Sequence, residues 1–133
     1  MYYNLSIFFK FKYNLKLNNI LMEMAQSIHS VDSYNIIDEI DFGETIVFIK
    51  FGTDWCLPCK QIEQILVDIE NSITYTIDVE NDDFEEFLSK NRIYNIPTTI
   101  IKYKKNKSQF VGLRTAEDIN SMIHNLKTLY PSN

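Results

Sequence analysis

Residues 45–69 constrain the fold of this chain more than any other stretch. Thr45 to Phe51 is continuously apolar except for Lys50, as expected of a strand covered on both faces. Five residues later comes Cys56, followed by Cys59; they are the only cysteines of the chain, separated by Leu57 and Pro58. Pro58 suits the first turn of a helix, where its missing N–H costs nothing. Ile62, Ile65, Leu66 and Ile69 then recur at helical spacing and make one apolar face. A C-x-x-C pair at a strand-to-helix junction reads as a redox site. The unpaired N–H groups and positive partial charge of a helix amino terminus favour a thiolate there, and the thiolate is the nucleophile.

The rest of the chain alternates strands and helices. The pattern predicts a short strand over Ser27 to Val31 and a helix capped by Asp32 or Ser33 and running to about Ile40. A strand is expected over Ile73 to Val79, and a helix from about Asp82 to Asn91 marked by Phe84, Phe87 and Leu88. Thr98–Tyr103 and Ser108–Gly112 read as two strands joined by the polar turn Lys104 to Lys107, short enough for an antiparallel hairpin. Thr115 caps a last helix with Glu117 and Asp118 in its first turn. Ile119, Met122, Ile123, Leu126 and Leu129 form its buried stripe. The order β-α-β-α-β-α-β-β-α implies an α/β domain over residues 27–130, with a central mixed sheet flanked by helices on both faces. The cysteine pair then lies at the carboxyl end of a central strand, where open α/β sheets place their sites.

Composition narrows the function. At 133 residues and 45 % apolar, the chain suits one domain with a sizeable core. A net charge of −5 argues against a general nucleic-acid binder. No stretch approaches the ~20 apolar residues of a membrane span, so stable insertion is not expected. Both cysteines belong to one motif, which leaves none for a structural disulfide and favours a reducing, cytoplasmic setting. A zinc site would need four ligands, and His29 and His124 lack ligand spacing to the cysteines; no metal is expected.

Residues 1–26 stand apart. Lys10, Lys12 and Lys16 precede the first acidic residue, Glu23, while Phe9, Phe11, Tyr13, Leu15 and Leu17 alternate with polar residues. The apolar run Leu5 to Phe9 is too short for a signal-peptide core, and the segment lacks the Arg of a mitochondrial presequence. The main expectation is a short, flexible N-terminal extension, or residues upstream of a start at Met22 or Met24. An added strand and a membrane-surface contact are the alternatives.

With these elements in place, the sequence resembles the thioredoxin family over roughly Ser27 to Leu129. Trp55-Cys56-Leu57-Pro58-Cys59-Lys60 matches the family's W-C-x-P-C-K, and Ile96-Pro97-Thr98 matches its I-P-T. Gly112 sits where the family has a glycine after the last strand. The resemblance implies the thioredoxin fold and a thiol–disulfide oxidoreductase that reduces protein disulfides. Cys56 would be the nucleophile and Cys59 the resolving thiol. Trp55, Pro58, Ile96, Gly112 and a cis Pro97 would form the substrate surface. It implies a monomer needing no cofactor, with protein disulfides as substrates and a thioredoxin-reductase-type electron donor. The chain departs from the family at four positions. Lys50 occupies the place of a buried carboxylate six residues before the first cysteine, and Thr74 that of a lysine often paired with it. Leu57 replaces a glycine and Gly52 a tryptophan. Lys50 is therefore a candidate for tuning the thiol pKa, from beneath the cysteine pair; snorkelling to solvent or pairing with a surface carboxylate is the alternative for its side chain. An oxidising member of the family and a non-catalytic adaptor are the competing functions.

Overall fold

The computed structural model describes residues 28–30 and 42–129. In chain order these form β1 (Ile28–Ser30), β2 (Ile46–Gly52), α1 (Leu57–Val67), β3 (Ser72–Asp78), α2 (Glu85–Lys90), β4 (Thr98–Tyr103), β5 (Asn106–Val111) and α3 (Ala116–Leu129). The expected helix near 32–40 and the extension 1–26 lie outside the described residues.

The apolar run becomes the middle of the sheet. Among the described residues the strands take the order β1-β3-β2-β4-β5. β2 runs parallel to β3 and antiparallel to β4, so both of its edges are hydrogen-bonded and all seven of its residues are buried. Successive side chains of β2 point to opposite faces, which divides the core in two. Ile46 and Phe48 pack with Ile62 and Leu66 of α1 and with Ile119, Ile123 and Leu126 of α3. Val47, Ile49 and Phe51 face the other way, towards Ile73, Tyr75 and Phe84. By the same alternation Lys50 falls on the α1 side, among residues that would otherwise be apolar.

Several elements differ from the sequence expectation in extent. α1 stops at Val67 with Asp68 as its C-cap, so Ile69 leaves the helix but stays buried in the same cluster. The expected helix over 82–91 is a 3-10 turn (Asp82–Phe84) followed by α2, because the Asn81 side chain accepts from the Asp83 N–H and opens a tight turn first. β5 begins at Asn106, two residues before expected, and Gly112 lies outside it. Lys104 adopts φ +54°, which closes the hairpin in two residues and pairs Tyr103 with Asn106. α3 is capped as expected, with the Asp118 N–H donating to Thr115 Oγ1 at 3.1 Å.

Phe48 is 0 % exposed where the sheet meets α1 and α3. Phe48→Ala is expected to cost about 3–5 kcal/mol, a fall of more than about 10 °C in melting temperature for a domain of this size. Thermal unfolding followed by circular dichroism measures it, and a fall of only a degree or two would contradict this account of the core.

Candidate active site

Three loops converge at one end of the sheet. β2 ends at Gly52, and the chain turns through Thr53, Asp54 and Trp55 to Cys56. The register Phe51↔Thr98 puts Pro97 beside the end of β2, and Thr98↔Val111 puts Gly112 beside Pro97. The Ile96–Pro97 bond is cis, as the resemblance implies. The Gly112 N–H donates to the Pro97 carbonyl at 2.8 Å and ties the two loops together. Gly112 has φ +79° and open space where a Cβ would be. Its glycine is therefore explained by backbone conformation rather than by crowding.

Cys56 and Cys59 are joined by a disulfide, with Cα atoms 5.2 Å apart. Cys56 is the N-cap of α1, held in extended conformation at φ −86° and ψ 110°. Its Sγ accepts the Cys59 N–H at 3.2 Å. One otherwise unpaired donor of the helix terminus is thus directed at the first sulfur. Cys59, one turn into the helix, is 0 % exposed; Cys56 is 6 % exposed. The sequence reading made Cys56 the accessible thiol. The ordering holds, but in the bridged state Cys56 is less open than expected, because its sulfur is turned towards the Cys59 amide.

The rim of the site is apolar and open. Trp55 is 72 % exposed and Leu57 65 %. The Trp55 indole N–H donates to Glu80 Oε1 at 2.8 Å, which fixes the ring while leaving its surface to solvent. Pro58 is exposed beside them, Ile96 is half-buried and Pro97 buried. Tyr94 and Leu113, missed in the sequence reading, are also exposed on the two neighbouring loops. Their closeness in sequence to Pro97 and Gly112 was the signal that could have found them.

Beneath the disulfide Lys50 is buried as expected, with a partner that the sequence did not indicate. It pairs with Glu63 of α1. Its partner is thus a largely covered carboxylate on the adjacent helix, not a surface one. Glu63 follows Cys59 by four residues, so the two share one face of α1. Gly52 lies between lysine and cysteine. A Cβ on Gly52 would sit 2.7 Å from Cys59 Sγ and 3.3 Å from Lys50 Cε. Glycine at this position is what lets Cys59 and Lys50 close on the same point beside the strand. Thr74, at the other departure, has a buried hydroxyl with no hydrogen-bond partner.

Among the described residues no group of three or more His, Cys, Asp or Glu side chains is placed to hold a metal ion, and His124 is exposed on α3. No helix among them is long and apolar enough to cross a membrane.

Comparison with known proteins agrees with this geometry. The thioredoxin family model matches residues 27–125. Mitochondrial thioredoxin-2 of Schizosaccharomyces pombe is 26 % identical over 80 residues, covering 59 % of this chain and 60 % of that protein. The chain therefore spans less than two thirds of that relative's length. Among solved structures, a point mutant of thioredoxin from Halobacterium salinarum superposes with a TM-score of 0.64 at 20 % identity, over 80 % of this chain and 96 % of that one. A chain of the complex between ferredoxin:thioredoxin reductase and thioredoxin f2 superposes with a TM-score of 0.57 at 18 % identity, over 78 % and 98 % of the two chains. These two likenesses establish the fold.

Proposed function

Since this chain belongs to the thioredoxin family, we propose that it is a thiol–disulfide oxidoreductase that reduces protein disulfides through Cys56 and Cys59. The observation that carries the reading is the bridged cysteine pair at the amino terminus of α1, with the first cysteine slightly exposed and the second fully buried. In the reduced protein the Cys56 thiolate attacks a substrate disulfide. One substrate sulfur leaves as a thiolate, and a mixed disulfide forms on Cys56. Cys59 then attacks Cys56. The mixed disulfide breaks, the second substrate thiol is released, and the Cys56–Cys59 bridge closes, both electrons having passed to the substrate.

The exposed apolar rim of Trp55, Leu57, Tyr94 and Leu113 offers a surface for an extended, partly unfolded substrate segment. The dithiol holds both electrons, so the cycle calls for no metal or organic cofactor. The electron donor proposed is a reductase of the thioredoxin-reductase type, and the setting proposed is a reducing compartment such as the cytoplasm, with the chain acting as a monomer. Reduction of insulin disulfides in the presence of dithiothreitol tests the activity. The full chain is expected to accelerate precipitation of the insulin B chain, and Cys56→Ser to leave the uncatalysed rate. No acceleration by the unaltered chain would reject the proposal.

A further inference from the structure

The resolving step poses a problem of protons. Cys59 must lose its proton to become a nucleophile, yet it is 0 % exposed, and burial opposes formation of a thiolate. Solvent cannot take the proton directly from the front of the site, because Cys56 and its bound substrate occupy it. A cavity of about 110 Å³ lies against β2, lined by Gly52, Thr53, Thr76, Lys50 and Glu63, and Cys59 Sγ packs against the same Gly52. That volume is large enough for water. The Thr53 hydroxyl, which also lines it, is buried with no hydrogen-bond partner among the described residues, so a polar guest has a group to bind. Asp54, Lys60 and Asp78, all exposed, line its outer part. Of the charged groups lining the cavity, only Lys50 and Glu63 are largely covered, with side chains 5 % and 20 % exposed.

We infer that Glu63, reached through water in this cavity, is the proton acceptor for Cys59 in the resolving step, and that Lys50 is the positioning residue whose charge passes from Glu63 to the sulfur. The inference rests on the dithiol function proposed above. Glu63 lies one helical turn beyond Cys59, and in an α-helix such residues are neighbours. Lys50 Cε and Cys59 Sγ flank the same point on Gly52, 3.3 Å and 2.7 Å from it. The step balances. The Cys59 S–H bond breaks and its proton reaches the Glu63 carboxylate by way of water. The electron pair left on Cys59 forms the bond to Cys56 Sγ, and the bond from Cys56 to the substrate sulfur breaks. The substrate departs as a thiolate and takes a proton from solvent. The Lys50 ammonium, no longer facing a carboxylate, faces the sulfur on which negative charge develops. The proton transfer itself leaves the net charge beside Gly52 unchanged; closing the bridge, with the substrate leaving as a thiolate, leaves the Lys50 ammonium beside a neutral Glu63 until that proton is released or returned. In the reverse direction, Glu63 returns the proton to Cys59 when the bridge is opened.

The experiment follows the two chemical steps separately. The reduced full chain is mixed, in a stopped-flow instrument, with an aromatic disulfide that releases one coloured thiolate when Cys56 attacks and a second when Cys59 resolves the adduct. Glu63→Gln keeps the shape of the side chain and removes its basicity. It is expected to leave the first phase no slower, since the lone Lys50 cation favours the Cys56 thiolate, and to slow the second by about 100-fold near neutral pH, the low end of what general base catalysis contributes. The second phase should also become steeply pH-dependent, rising about tenfold per unit up to the ordinary thiol range near 8.5, because hydroxide must then do the work of the carboxylate. A merely structural role for Glu63 would not produce that pH profile. If Glu63→Gln fails to fold because Lys50 is left buried alone, the double variant Lys50→Met/Glu63→Gln removes the stranded cation, and the same slow, pH-dependent second phase is expected of it. A second phase with the rate and pH profile of the unaltered chain, in whichever variant folds, overturns the inference and leaves the dithiol function standing. Release of only one thiolate by the unaltered chain overturns both.

Discussion

Cys59→Ser will turn the protein into a covalent trap, and Cys56→Ser will trap nothing. When the reduced variants are mixed with disulfide-containing proteins and separated on a non-reducing gel, the first is expected to give stable adducts that dithiothreitol dissolves. The argument is geometric. Cys56 caps α1 and receives a backbone N–H on its sulfur, which favours the thiolate. Cys59 is 0 % exposed, and a substrate disulfide cannot reach it. The first bond to a substrate must therefore form at Cys56 in either direction of electron flow. Release then depends on Cys59, held one helical turn away. Groups fixed in this way react with effective concentrations far above those of free thiols, so its loss should lengthen the life of the adduct by more than about 1000-fold. Comparable adducts from both variants would mean that the two sulfurs are equally open and that the assigned roles are wrong.

Much of this site is legible in the sequence because its parts are local. The apolar run of β2, the C-x-x-C, the proline in the first turn of α1 and the Ile96-Pro97-Thr98 segment each announce themselves within a few residues. Their order constrains the sheet. What escaped reading depends on the third dimension or on positions without an apolar requirement. β5 is an edge strand whose residues 106–109 alternate between half-buried and exposed, so Asn106 and Lys107 gave no sign of belonging to it. Gly52 looked like the loss of an aromatic residue; its reason lies in Cys59 and Lys50, seven residues on and two residues back, which close on the same point from different elements. Lys50 was recognisable as an anomaly in an apolar strand, but its partner was not. Glu63 is thirteen residues away, and only the packing of α1 over β2 brings the two together. The spacing of four from Cys59 to Glu63 was the one signal available.

Lys50→Met is expected to harm the protein more than Lys50→Met/Glu63→Gln. The single change leaves the Glu63 carboxylate, 20 % exposed, facing the cavity without its cation. Removing one partner of a fully buried pair costs about 3–5 kcal/mol. The partial exposure of Glu63 lowers that to about 2 kcal/mol, or roughly 10 °C in melting temperature. The double variant has neither the lone charge nor the cost of desolvating the pair, and should melt within a few degrees of the unaltered protein. Redox chemistry should follow the same order. A lone carboxylate behind the cysteines opposes the thiolate and so destabilises the reduced form. The potential of the Cys56–Cys59 couple in Lys50→Met should therefore fall, by about 30 mV for each 1.4 kcal/mol. In the double variant, where a neutral pair is replaced by neutral side chains, the shift should be much smaller. Thermal melts and equilibration against a glutathione redox buffer measure both quantities on the same samples. If the double variant is the less stable of the two, or if the potential moves as far in it as in Lys50→Met, the lysine acts on the cysteines independently of Glu63 and the coupled pair described here does not operate.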